Sequence, residues 1–240
     1  MTQYNLLGVK INIIAEHLLK NTLVDFLNSK KQHQIVTVNP EFIVTAQKNK
    51  KFLEILNQAS VSLIDGAGII KALQYLGHDV SLAHRITGVR LNEILIDLAV
   101  NKKLKIMFCL YSQGLTSNQK LSDVIEKQYP ALNWQIADEN NALELGQKFS
   151  PDIVLVGFGA PWQNFWIAEN IEKIPSTKIA AGVGGTFDFI SGTIKRAPKL
   201  MQSLGLEWLW RLSLQPGRLS RIVRAVIVFP YLIYKNKGKK

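Results

Sequence analysis

Cysteine is almost missing from this chain of 240 residues. Cys109 stands alone, which excludes a disulfide scaffold. The four histidines are scattered and, with one cysteine, give no zinc-ligand spacing. Long apolar runs are missing too. The longest near the C-terminus, Ala225–Tyr234, has ten residues, and about twenty are needed to span a bilayer, so no transmembrane helix is expected. The opening MTQYNLLGVKINII lacks a basic stretch followed by an apolar one, so no signal peptide is expected. Acid is scarce at one end: residues 195–240 hold eleven Lys/Arg against Glu207 alone, a local charge of +10. The first 194 residues carry +1, and the whole chain +11.

What is present is an apolar content of 47%, which excludes disorder and suffices for a sizeable core. Short β-rich runs alternate with stretches of helical period. The runs are Gln34–Val38, Val61–Ile64, Lys105–Leu110, Trp134–Ala137, Asp152–Gly157 and Lys178–Val183. Most are continuously apolar, as strands covered on both faces are. Helical stretches such as Leu91–Val100 and Leu115–Gln128 lie between them. The alternation predicts an α/β fold, a parallel sheet with helices on both sides, over residues 1–194. A basic helical segment, 195–240, follows it.

Polar and glycine-rich residues follow five of the strands. They are Asn39-Pro40-Glu41, Asp65-Gly66-Ala67-Gly68, Tyr111–Gly114, Phe158–Gln163 and Val183–Asp188. Open parallel sheets bind ligands outside the carboxyl ends of their strands, so five such loops predict one crevice. Taken singly, each is also ordinary turn chemistry. Asp65, at the end of a buried strand, reads as a general base with a raised pKa or as a helix N-cap, and from this residue alone the cap is the better reading. The loop Gly157-x-Gly159-x-Pro161-x-Gln163 is neither a Walker loop nor a dinucleotide fingerprint; free amides after Pro161 suit an anion. Gly184 and Gly185 permit close backbone approach to a ligand or tight strand–helix packing. Arg196 reads as a phosphate grip or a surface residue. Arg218, Arg221 and Arg224 recur every third residue and form a stripe on a helix, with Ile222, Val226, Phe229 and Ile233 on another side and lysines after it. That pattern suits an anionic membrane surface better than a nucleic acid, the alternative being a core-packing helix with a solvated tail.

Taken in order, the motifs resemble a known family. Thr37-Val-Asn39-Pro-Glu41, Asp65-Gly66-x-Gly68, Arg85-Ile-Thr-Gly88 and Gly157-x-Gly159-x-Pro161-x-Gln163 come first. Gly182-Val-Gly-Gly-Thr-Phe-Asp188, Ser191-Gly192-x3-Arg196-Ala-Pro198 and Gly205-Leu-Glu207-Trp208-x2-Arg211-Leu follow. The set is similar to the WecG/TagA/CpsF family of bacterial glycosyltransferases, from about Leu7 to about Arg221. The resemblance implies a Rossmann-like domain with an appendage that completes the site at the membrane. It implies inverting, metal-independent transfer from a UDP-sugar, commonly of N-acetylmannosamine, to a polyprenyl-diphosphate-linked sugar in teichoic acid or surface polysaccharide assembly. By position Asp65 matches the base. Thr37, Asn39 and Gln163 match residues near the transferred sugar, and Arg211, Arg218 and Arg221 are candidates to hold the diphosphate. Arg85, Gly157, Gly159, Gly184, Gly185, Asp188 and Arg196 complete the expected substrate-binding set. Two positions depart from the family pattern: Arg90 stands where an acid is usual, and Asn164 where Gln163 is often followed by Glu.

The residues agree with metal-free chemistry. There is no Asp-x-Asp, the usual carboxylate pair for a sugar-nucleotide metal, and there is a dense arginine cluster to stabilise a leaving diphosphate. The partners that the resemblance implies are a UDP-sugar and a lipid-linked acceptor; the basic segment adds an anionic membrane, and no cofactor and no nucleic acid are expected. A cytoplasmic protein, peripheral on the inner face of the cell membrane, follows from the same reading. A homo-oligomer is left open, since the appendage can fold onto its own body or a neighbour's. The alternatives are a non-catalytic or nucleic-acid-binding α/β protein and another nucleotide-dependent enzyme such as a methyltransferase.

Overall fold

A computed structural model describes residues 1–237. Its strands are β1 (Thr2–Leu6), β2 (Val9–Ile13), β3 (His33–Val38), β4 (Val61–Ile64), β5 (Lys105–Leu110), β6 (Asn133–Asp138), β7 (Ile153–Gly157) and β8 (Ile179–Gly182). Six of them form one sheet in the order β4-β3-β8-β7-β5-β6, all parallel. The helices are α1 (Glu16–Asn28), α2 (Pro40–Ala46), α3 (Lys50–Gln58), α4 (Ala67–Tyr75), α5 (Gly88–Lys102), α6 (Asn118–Gln128), α7 (Ala142–Phe149), α8 (Trp162–Asn170) and α9 (Thr186–Ile190). All six predicted strands are present within a residue of their predicted ends.

Alternation along each strand explains the continuous apolar runs. On β3, Ile35 packs into one core, and Val36 and Val38 into another. On β7, Ile153 and Leu155 point one way, and Val154 and Val156 the other. Helices α1, α5, α6 and α9 cover the first face, and α2, α3, α4, α7 and α8 the second. Both faces are dry, so both strand parities must be apolar. Side-chain caps start several helices: Asn39 on α2, Asn49 on α3, Thr87 on α5 and Ser117 on α6.

The antiparallel hairpin of β1 and β2 was not expected from the sequence. It packs beside β4, and the Ser62 amide donates to Asn12 Oδ1 at 2.7 Å. Leu6, Val9 and Ile11 are buried.

The C-terminal segment is helical, as expected: α10 (Lys199–Ser203), α11 (Glu207–Leu214), α12 (Leu219–Val223), a π-helical stretch Arg224–Val228, and α13 (Phe229–Asn236). Pro230 accounts for the π stretch, since its ring cannot accept the carbonyl of the preceding turn and it offers no amide. No helix of the described residues is long and apolar enough to cross a membrane.

This segment packs on its own body, and that corrects one expectation. Phe229 was placed on a face turned to the membrane, yet it is 1% exposed, in one core with Phe42, Phe52 and Ile70. Ile233 joins it there. The exposed apolar stripe is on the opposite side: Leu219, Val223, Ile227, Tyr231 and Tyr234, spaced four, four, four and three. The helix is amphipathic with apolar residues on two sides, one for the core and one for the outside. Of the lysine tail, Lys235 and Lys237 are described and exposed; Lys239 and Lys240 lie outside the described residues.

Candidate active site

The loops after β3, β4, β7 and β8 meet the C-terminal helices over a cavity of about 710 Å³. A second, of about 340 Å³, lies over the ends of β5 and β7. Gly159, Gly184, Gly185, Arg218 and Arg221 line both, so the two cavities adjoin.

Asp65 lies on the floor of the larger cavity. The N-cap reading of this residue is overturned: Gly66 is the N-cap of α4, and no side chain caps that helix. The carboxyl is therefore free for other work. Burial pushes its pKa above the ordinary range, opposed by Arg85, Arg211 and the Gly88 amide and supported by Glu207. Arg85 donates its Nε to the Asp65 carbonyl and pairs through a second nitrogen with Glu207. That pair joins the body to the first residue of α11.

Three arginines from the C-terminal segment converge above this floor. Arg211 stacks over Phe189 at 4.6 Å, and burial lowers its pKa. Its Nε has no hydrogen-bond partner among the described residues. Arg218 is lowered to about 10 by burial and by the charges of Arg211 and Arg221. Arg221 donates its Nε to both oxygens of Glu41, at 2.8 and 3.0 Å, and Arg224 reaches the same carboxylate at 3.5 Å. Mutually repelling, partly desolvated guanidinium groups make a strong site for a polyanion.

The remaining predicted residues divide. Thr37 lines the large cavity and donates to the Gly182 carbonyl at 3.3 Å. Asn39 lines it too, while its side chain caps α2. Gln163 is 1% exposed and accepts from the Gly184 amide at 2.9 Å, which fixes the glycine loop. Gly182 lets it pack, since a Cβ there would come 2.8 Å from Gln163 Nε2. Gly184 has φ +56° and Gly159 +83°, the left-handed region where glycine is needed. Arg196 is exposed at the rim of the large cavity. Gly157 and Asp188 line only the smaller one. Gly157 also packs: a Cβ would meet the Phe187 ring at 2.6 Å. Asp188 accepts from Thr116 Oγ1 at 2.8 Å.

Neither family departure lines a cavity. Arg90 turns outward to Glu16 and Glu93, at 2.6 and 2.8 Å, and holds the Glu16 carboxyl down to about 2. Asn164 is fully buried in α8. Among the described residues, no three His, Cys, Asp or Glu side chains cluster as a metal site.

Sequence reading gave no role to Glu41 or Glu207, which anchor the arginines. Glu207 had a signal: it is the lone acid in a strongly basic segment.

The profile of the glycosyl transferase WecG/TagA/CpsF family matches residues 4–240. The chain belongs to this family. It is a glycosyltransferase. Two relatives come from Staphylococcus aureus, strains MRSA252 and NCTC 8325. Each is 30% identical over 246 residues, covering 98% of this chain and 93% of the relative. Both are named N-acetylglucosaminyldiphosphoundecaprenol N-acetyl-beta-D-mannosaminyltransferase.

Proposed function

We propose that this glycosyltransferase moves N-acetylmannosamine from a UDP-sugar to a polyprenyl-diphosphate-linked N-acetylglucosamine, with inversion and without a metal. The product would serve teichoic acid or surface polysaccharide assembly. The observation that carries this is the position of Asp65 under Arg211, Arg218 and Arg221, at the carboxyl ends of a parallel sheet. The activity for which the two relatives are named supplies the sugar and the acceptor.

In this reading the nucleotide lies in the smaller cavity, beside Asp188, and its diphosphate at the junction with the larger one. The acceptor hydroxyl oxygen attacks the anomeric carbon as the bond from that carbon to the phosphate oxygen breaks. Asp65 takes the hydroxyl proton, and the bonding pair leaves with UDP. The arginines stabilise the charge that develops on the diphosphate, in place of a metal ion. A raised pKa makes Asp65 a stronger base once ionised, and Arg85 and Arg211 favour its ionised form.

The stripe Leu219, Val223, Ile227, Tyr231 and Tyr234, with Lys235 and Lys237, supports a peripheral seat on an anionic membrane, on its cytoplasmic side.

The test is a thermal shift with UDP, followed by turnover of UDP-N-acetylmannosamine with the lipid-linked acceptor. At a UDP concentration a hundred times Kd, stabilisation of about 2.7 kcal/mol is expected. No shift with UDP, or no turnover with UDP-N-acetylmannosamine, would count against the proposed donor.

A further inference from the structure

Helix α4 starts at the floor of the site and runs outward for nine residues, about 13 Å. Gly68, Lys71, Ala72 and Tyr75 share one face of it, and all four line the large cavity. The exposed Val226 and Pro230 of the C-terminal helix form the opposing wall. The cavity thus continues from Asp65 as a groove between α4 and α13, in which Lys71 is the one lysine among the described residues. At its outer end the Lys237 ammonium lies 3.8 Å from the centre of the Tyr75 ring.

Lys71 is the one lysine among the described residues that line either cavity. It has no ion-pair partner among the described residues, whereas Arg85 holds Glu207 and Arg221 holds Glu41. It is also absent from the junction of the two cavities, where Arg218 and Arg221 stand. The reaction proposed above brings two diphosphates to one base, the donor's and the acceptor's. The junction arginines serve one of them; the other needs its own cation on the α4 side.

We propose that Lys71 holds the diphosphate of the lipid-linked acceptor, and that the groove beyond it takes the first isoprene units. The inference rests on the function proposed above. Lys71 stands four positions beyond Ala67, about 6 Å further along the helix that begins beside Asp65. A lysine suits this task as a mobile point charge. Beyond it, apolar walls replace water around the hydrocarbon chain.

The experiment uses the full chain in neutral detergent, with UDP-N-acetylmannosamine and three acceptors. These are N-acetylglucosamine on undecaprenyl diphosphate, the same sugar on a short alkyl diphosphate, and the alkyl glycoside without phosphate. Lys71→Ala should raise KM about tenfold for both diphosphate acceptors. It should leave the donor KM and the phosphate-free acceptor unchanged, and Lys71→Arg should restore most of the loss. Tyr75→Asp should penalise the undecaprenyl acceptor more than the short alkyl one. Equal KM values for Lys71→Ala and the parent overturn the proposal, as does an equal loss with all three acceptors. A loss seen only on anionic vesicles and not in detergent assigns Lys71 to membrane headgroups and also overturns it. If the unaltered protein transfers sugar to none of the acceptors, the proposed function falls first, and this inference with it.

Discussion

Replacing Phe229 by alanine tests whether the C-terminal helix belongs to the core. The ring is 1% exposed and sits with Phe42, Phe52, Ile69 and Ile70. Truncating a buried phenylalanine costs about 3–5 kcal/mol, the lost transfer energy plus the cavity left behind. For a chain of this length 1 kcal/mol corresponds to about 2–4 °C in Tm. If the appendage unfolds with the body, Phe229→Ala should lower Tm by about 6–20 °C. If it peels off alone, the body keeps its Tm and the loss appears as local opening, so trypsin should cut at Arg218, Arg221 and Arg224 while the sheet stays intact. Ile227→Ala, at a side chain 63% exposed, is the control and should change stability by at most about 0.5 kcal/mol. Thermal unfolding and limited proteolysis are read on the same samples. A Phe229→Ala protein with unchanged Tm and unchanged trypsin resistance would refute the packing described here.

Asp65→Asn should reduce kcat by at least about a hundredfold while UDP still stabilises the protein; near-normal turnover refutes the role of base. Because the folded pKa of Asp65 is raised, activity should fail on the acid side at a pH above the ordinary carboxylate value of about 3.9. Glu207→Gln removes a charge that raises that pKa, so it should move the acid limb to lower pH; an upward shift contradicts the assignment. Turnover should persist in EDTA, and activity lost there and restored by Mg²⁺ or Mn²⁺ counts against a metal-free mechanism. The double variant Ile227→Asp with Tyr231→Asp should release the protein from anionic vesicles with Tm preserved, and unchanged co-sedimentation removes the membrane seat.

The sheet was legible because a parallel strand buried on both faces leaves an uninterrupted apolar run, as in KIMFCL and DIVLVG. The hairpin was not, because β1 and β2 mix polar and apolar residues and owe their order to packing beside β4. Asp65 was legible as a residue but ambiguous in role, since a base and an N-cap both stand at a strand's carboxyl end. The backbone decides it, by starting α4 with Gly66 as the cap. The two-sided helix 219–236 misled for a related reason. Its inner residues Phe229 and Ile233 and its outer ones Ile227 and Tyr231 have the same composition, and which side meets the core depends on α2 and α4, which are remote in sequence. Arg90 was legible only as a departure; its partner Glu16 lies 74 positions earlier.

The contact between Asn12 and Ser62 bears on the edge of the sheet. Strand β4 is the last strand at its side of the sheet, and an edge of free amides and carbonyls is a template for a second chain. The hairpin lies beside that edge, and the Asn12 side chain occupies the Ser62 amide without extending the ladder. Because the hairpin precedes β4 by some fifty residues, the guard is made before the edge it protects. Asn12→Ala would strand a buried amide, at about 1–3 kcal/mol, and bare the flank of the sheet. Its signature would be concentration-dependent aggregation rather than any change in sugar transfer.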